Sequence, residues 1–220
     1  MLSKTDPTIK AVFWDIDGTL IDSEELHYQV IADWCADHGF PLKKDDNDAL
    51  LGKSMVEKWE ILSGKYSLDS DASTFKRECA KRYCTAVSKD LERGELTAIF
   101  RAVAKTKIPQ ACVSNGDMVV VEANLTVMDL SGMVAFNISG DDVKNGKPDP
   151  EPYLAAASKL GVLPAQCLVV EDSVVGVAAA VAAGMTVVAW PEENTPHENY
   201  READYFVTCL AEFPRHLLPI

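Results

Sequence analysis

The sequence predicts an α/β fold, a parallel sheet carrying a helical insertion after its first strand. Three observations lead there. Short runs rich in Val, Ile and aromatics, without period-two alternation, recur at Ala11–Trp14, Gln110–Val113, Cys167–Val170 and Met185–Trp190, as strands buried on both faces read. Between them lie segments with helical spacing and helix punctuation: Glu95–Lys105, Met118–Asp129, Glu151–Leu160, and Ser173–Ala183 closed by Gly184. The third observation is the interval from about Ser23 to Arg93, which holds helical patterns and no convincing strand.

Each element follows from its local chemistry. The apolar runs are too short for buried helices, and their alternation with helices makes a parallel sheet the expected arrangement. Within the long interval, helices are expected at Glu24–Asp37, Asp48–Leu62 and Ala72–Ser88, with turns at Gly39, Pro41 and Ser63-Gly64. A helical subdomain is the simplest account; the alternative is that these helices pack directly on the sheet, since periodicity does not say what a helix faces. From Glu192 onward a loop, a short strand at Tyr205–Thr208 and a closing helical turn are expected.

A chain of 220 residues can form one domain with a sizeable core, or a core domain with a smaller insert. No apolar run is long enough to cross a bilayer. The formal net charge of −13 would repel a phosphate backbone, so nucleic acid is not an expected partner. A phosphate site on such a chain needs its own local positive charge. Met1–Lys10 is polar and the apolar stretch after it is too short for a signal peptide. Cys35, Cys79, Cys84, Cys112, Cys167 and Cys209 form no CxxC pair; they read as reduced thiols of a cytoplasmic protein.

Four segments carry chemistry. The first strand runs into Asp15-Ile16-Asp17-Gly18-Thr19-Leu20, two carboxylates beside a turn at the sheet's carboxyl edge, where open α/β sheets bind ligands. Converging carboxylates repel each other unless a cation or proton lies between them, and Mg²⁺ suits a few carboxylates with water and phosphate oxygens. The second strand ends in Val113-Ser114-Asn115-Gly116-Asp117. There Ser114 and nearby backbone N–H groups could hold phosphate oxygens, or the segment is an ordinary helix start.

In Gly146-Lys147-Pro148-Asp149-Pro150, prolines restrict the backbone around a Lys whose ammonium could offset charge on a phosphoryl group; a solvated turn lysine is the plain alternative. Glu171-Asp172-Ser173 follows another buried strand. These acids either complete a metal site with Asp15 and the backbone carbonyl of Asp17 or favour the start of a helix. Together the four supply nucleophile, proton donor, phosphate ligands, cation and metal acids.

In this order the residues closely resemble the four motifs of the haloacid dehalogenase superfamily: Asp15–Leu20 its DxDGT signature, Ser114 its second motif, Lys147 its third and Glu171-Asp172 its acidic fourth. The resemblance implies a Rossmann-like parallel-sheet core, residues 1–22 and 94–220, with an inserted α-helical cap, residues 23–93. It makes Asp15 the nucleophile that forms an aspartyl-phosphate and Asp17 the acid/base. Ser114 and Lys147 would hold the phosphoryl oxygens, Asn115 and Gly116 would lie against the substrate, and Asp15, Asp17, Glu171 and Asp172 would form the Mg²⁺ site.

Asp17 points to phosphate monoesters, because relatives that cleave carbon–halogen or carbon–phosphorus bonds lack that acid. Asp22-Ser23-Glu24-Glu25-Leu26-His27 resembles the cap entrance of the branch holding β-phosphoglucomutase, phosphoglycolate phosphatase and related sugar-phosphate phosphatases. His27 would serve substrate binding or mutase-type coupling, or is a solvated hinge residue. Lys53 stands where the mutase uses an Arg, and lacks that residue's bidentate fork, which favours the phosphatase. Lys76 and Arg77 are further cap candidates. The expected activity is hydrolysis of a small-molecule phosphate ester by a monomer. The alternatives are a phosphomutase and a non-catalytic phosphoacceptor module, the latter disfavoured by the long insert.

Overall fold

The computed structural model of the chain describes residues 8–43, 46, 49–50, 53–66, 68–191 and 195–220. Expectations that fall on residues 1–7, on Asp48 as a helix start, on Leu51 and Gly52, and on Glu192 lie outside the described residues. Among the described residues six strands form one sheet: β1 (Ala11–Trp14), β2 (Gln110–Val113), β3 (Asn137–Ile138), β4 (Cys167–Glu171), β5 (Thr186–Ala189) and β6 (Tyr205–Phe206). Every pairing is parallel, in the order β3-β2-β1-β4-β5-β6. The chain winds outward from β1 on one side and then returns to β4 on the other. Their carboxyl ends therefore flank the topological switch point of a Rossmann-like α/β core, the usual ligand crevice of such sheets.

Among the described residues the helices that carry the argument are α1 (Glu24–Asp37), α2 (Met55–Lys65), α3 (Ala72–Ala86), α4 (Gly94–Ala104), α5 (Met118–Val127), α6 (Glu151–Leu160) and α7 (Val174–Ala182). The chain separates into two compact units, residues 1–22 with 89–220, and residues 23–88. In the first, both faces of the sheet are covered. Phe13, Ala111, Val169 and Val187 pack with Tyr153, Ala156 and Ala157 of α6 and with Val177 and Ala180 of α7. On α4, Phe100 lies with its ring centroid 5.3 Å from that of Trp14, whose indole donates to Gln110 Oε1 at 3.0 Å. Burial on both faces is why these strands read as unbroken apolar runs.

The second unit is helical. Trp34 of α1 stands edge-on to Trp59 of α2 and Phe75 of α3, at 6.1 and 4.9 Å between centroids. Its indole N–H donates to Glu78 at 2.9 Å. Ser54 caps α2 reciprocally with Glu57, which places the start at Met55. The turn expected at Ser63-Gly64 is instead the last turn of α2, which runs on to Lys65. Among the described residues, β3 is the core strand the sequence did not announce; it is two residues long and follows a 3-10 turn at Ser131–Met133. Among the described residues, no helix is long and apolar enough to cross a membrane.

Candidate active site

Three neighbouring strands deliver the central residues. Asp15 follows β1, Ser114 follows β2 and Glu171 ends β4, so parallel pairing in register sets them side by side at one sheet edge. Asp15 is anchored by its own backbone N–H, which donates to Val170 O at 3.0 Å, and Ser114 N donates to Ile138 O at 3.0 Å. After Asp15 the chain reverses through Gly18 at φ +82°, a left-handed conformation that a Cβ disfavours. A Cβ at Gly18 would also run into the Asp172 carboxylate, so two independent constraints require glycine there.

Lys147 joins the motifs. Its ammonium donates to Asp15 Oδ1 at 2.6 Å, to Glu171 Oε1 at 2.6 Å and to Val113 O at 2.8 Å, which uses all three of its protons. The loop that carries it is locked by Asn115, whose amide donates to Lys147 O at 3.0 Å and accepts from Lys147 N at 2.8 Å. Asn115 thus ties the second and third motifs together through the Lys147 backbone. Burial alone would lower the Lys147 pKa, but the Asp15 and Glu171 carboxylates more than reverse this and hold it above its ordinary value.

Glu171 is fully buried and both of its oxygens are engaged. Oε1 accepts from Lys147 and from Tyr153 Oη at 2.7 Å, while Oε2 accepts from Ser173 N at 3.3 Å and Ser173 Oγ at 3.1 Å. Ser173 Oγ also accepts from Gly176 N, capping α7. A Cβ at Gly176 would sit inside the Glu171 carboxylate. Asp172 accepts from Thr19 Oγ1 at 2.8 Å, and its backbone carbonyl accepts from Tyr200 Oη at 2.6 Å. Arg93 donates to Gly18 O.

The acids outnumber the cation. Burial, then Glu171, pushes the Asp172 carboxyl up to about 7; burial, then Glu171, raises Asp15 well above its ordinary value against the opposing pull of Lys147. Asp15 Oδ2 is buried without a hydrogen-bond partner, and Asp15, Glu171 and Asp172 each offer an oxygen within 4.8 Å of the others. A buried, unsatisfied carboxylate oxygen beside two further acids calls for a cation, and an all-oxygen donor set fits a hard divalent ion rather than a thiophilic one.

Asp17 is held from the β2 side. Asn124 Nδ2 lies 3.1 Å from its Oδ1 and Ser114 Oγ 3.4 Å from its Oδ2. Ser114 Oγ in turn accepts from Gly116 N at 2.9 Å. The first unit therefore brings together Asp15, Asp17, Ser114, Asn115, Gly116, Lys147, Glu171 and Asp172. His27 and Lys53 belong to the helical unit: the His27 ring stacks on Tyr83 at 4.4 Å, and Lys53 is exposed immediately before the α2 cap. Sequence reasoning missed Tyr153, Asn124, Thr19, Arg93 and Tyr200. Thr19 stands inside the Asp15–Leu20 motif, and Asn124 is an amide among valines and leucine on a helix otherwise apolar on that side, a spacing that also fits a plain core residue.

A parallel sheet with acids at its switch point and one ammonium buried between them defines an enzyme of phosphoryl-transfer type. Comparison with known families carries this further: residues 9–184 match the haloacid dehalogenase-like hydrolases, and the chain belongs to that family. It is 32% identical over 213 residues to hexitol phosphatase A of Escherichia coli (strain K12), covering 92% of each chain. It is 31% identical over 180 residues to phosphorylated carbohydrates phosphatase of Thermotoga maritima, covering 80% of this chain and 82% of that one. The fold matches β-phosphoglucomutase of Clostridium difficile with a TM-score of 0.78 at 22% identity, over 93% of each chain. The two relatives above 30% identity are phosphatases and place the chain among the family's phosphatases; the third likeness is one of fold.

Proposed function

We propose that the chain is a Mg²⁺-dependent phosphomonoester hydrolase that acts on a small phosphorylated metabolite, a sugar phosphate or similar, through an aspartyl-phosphate on Asp15. The observation that carries this reading is the pair Asp15 and Asp17. Asp15 is buried, fixed through Oδ1 by Lys147 and unsatisfied at Oδ2, whereas Asp17 is held separately by Asn124 and Ser114. Two carboxylates in two environments suit two roles.

In the first step a carboxylate oxygen of Asp15 attacks phosphorus and the bond to the ester oxygen breaks, with Asp17 giving its proton to the departing oxygen. In the second, Asp17 takes a proton from water as the water oxygen attacks phosphorus and the Asp15–phosphorus bond breaks, which releases phosphate. Ser114 holds a phosphoryl oxygen, helped by the backbone N–H groups around Asn115 and Gly116, while Lys147, whose protons are taken by Asp15, Glu171 and Val113 O, offsets the negative charge that gathers around Asp15 and the phosphoryl group. Asp15, Asp172 and the backbone carbonyl of Asp17 would hold Mg²⁺, with Glu171 beside them. The ion would neutralise the surplus acid charge and polarise the phosphoryl group. Glu171 meanwhile keeps Lys147 in place.

The helical unit, residues 23–88, serves in this reading as the cap that selects substrate, with Lys53 and His27 as its recognition candidates. Relatives named for hexitol and carbohydrate phosphates support that substrate class. The test is phosphate release from a panel of sugar and polyol phosphates with Mg²⁺, for the native enzyme and Asp15→Asn. Turnover that vanishes in the variant is expected. Absence of turnover, or an unaffected variant, would refute the reading, and β-glucose 1-phosphate converted to glucose 6-phosphate without free phosphate would make the enzyme a mutase.

A further inference from the structure

We propose that Asn124 is a positioning residue for Asp17, fixing its carboxyl group so that Oδ2 is the oxygen that exchanges a proton with the ester. The inference rests on the acid/base role given to Asp17 above. Asn124 is fully buried on the face of α5 that also buries Val120, Val121 and Leu125. An amide among aliphatic side chains costs about 1–3 kcal/mol if left unsatisfied, so its presence there calls for a partner. Asp17, 107 positions away in the chain, is such a partner, at 3.1 Å.

The chemistry of the contact is directional. A carboxylate only accepts, so Asn124 must present its NH₂ group, which only donates. Oδ1 is thereby kept as an acceptor in both protonation states of Asp17, and the proton belongs on Oδ2. That oxygen lies 3.4 Å from Ser114 Oγ and 3.5 Å from where a Cβ on Gly116 would stand, on the side of the proposed phosphate ligands. In the first step the Oδ2 proton passes to the ester oxygen as its bond to phosphorus breaks and the product leaves as an alcohol. In the second, a water proton returns to Oδ2.

An alkyl ester needs that proton; a nitrophenyl ester leaves as a stable anion and hardly needs it. Because kcat/KM covers the steps through formation of the aspartyl-phosphate, it isolates the leaving-group step from later hydrolysis. Asn124→Ala should lower kcat/KM for a hexitol 6-phosphate by about 10–100-fold, and for p-nitrophenyl phosphate by about a tenth of that factor. Asn124→Leu, which fills the space without a donor, should show the same selectivity should the alanine variant fold poorly. Equal losses on the two esters, or no loss, in folded protein would overturn the proposal. Asp17→Asn is run alongside. If it is selective while the Asn124 variants are not, the inference falls and the acid role stands. If Asp17→Asn is itself unselective, the acid role falls and the inference falls with it.

Discussion

The ammonium of Lys147 lies 2.6 Å from Oδ1 of Asp15, with the two side chains 3% and 10% exposed. A cation so placed serves structure as well as chemistry, because Glu171 shares it at 2.6 Å. Removing one partner of a buried ionic cluster costs about 3–5 kcal/mol, since the remaining charges stay desolvated.

Lys147→Met should therefore lower stability by about 3–5 kcal/mol in urea unfolding as well as abolish phosphatase turnover. Combining it with Glu171→Gln removes one of the stranded charges and should restore part of that stability with no activity. If the double variant is as unstable as the sum of the two single variants, the cluster does not behave as one unit.

Metal dependence should vary with pH in a defined direction. Asp172 has its pKa lifted from 3.8 to about 7 and Asp15 moves the same way. Between those values the metal-free folded state keeps protons that the unfolded chain has released, so its stability falls as pH rises from about 4 to about 7. Mg²⁺ competes with those protons. The rise in Tm on adding Mg²⁺ to EDTA-treated protein should be larger at about pH 8 than at about pH 5; an equal or reversed gain would place the ion elsewhere.

The acids and the lysine were legible because each stands at a strand end beside turn chemistry, where local sequence marks the place. Tyr153 and Asn124 were not, since both lie inside helices whose spacing also fits a plain core residue, and only the packing of α5 and α6 on the sheet reveals their partners. β3 escaped because two residues carry no period. The Ser54…Glu57 capping signature that starts α2 stands inside the longer helical pattern at Asp48–Leu62, so apolar spacing alone does not mark it.

Gly176 offers a test of the packing around Glu171. Within a helix, Gly→Ala ordinarily stabilises by about 0.5–1 kcal/mol. Here the new methyl would occupy the space of the Glu171 carboxylate, which would have to release Lys147, Tyr153 or Ser173. Gly176→Ala should instead destabilise by about 1–3 kcal/mol and reduce kcat at least tenfold, by roughly the loss seen when a residue supporting a site is displaced. A stabilised, fully active variant would show that Glu171 is free to move.

The helical unit should respond to acid in the opposite sense. Asp46, 6% exposed, accepts from Lys65, from Lys43 N at 3.0 Å and from Tyr66 Oη at 3.0 Å. The Lys65 bond first, then the Lys43 N–H, hold its carboxyl down at about 2. A depressed acid stabilises the fold fully above its unfolded value of 3.8 and loses that contribution as pH falls through about 2. Lys65 is half exposed, so solvent screens the pair and the gain is about 1–2 kcal/mol rather than the full linkage value. Asp46→Asn should cost that much at about pH 7 and almost nothing at about pH 2. Trp34 and Trp59 report on this unit, so fluorescence-monitored urea unfolding reads the difference directly. A cost that persists undiminished in acid would mean that Asp46 acts through packing and neutral hydrogen bonds, with its charge making no contribution.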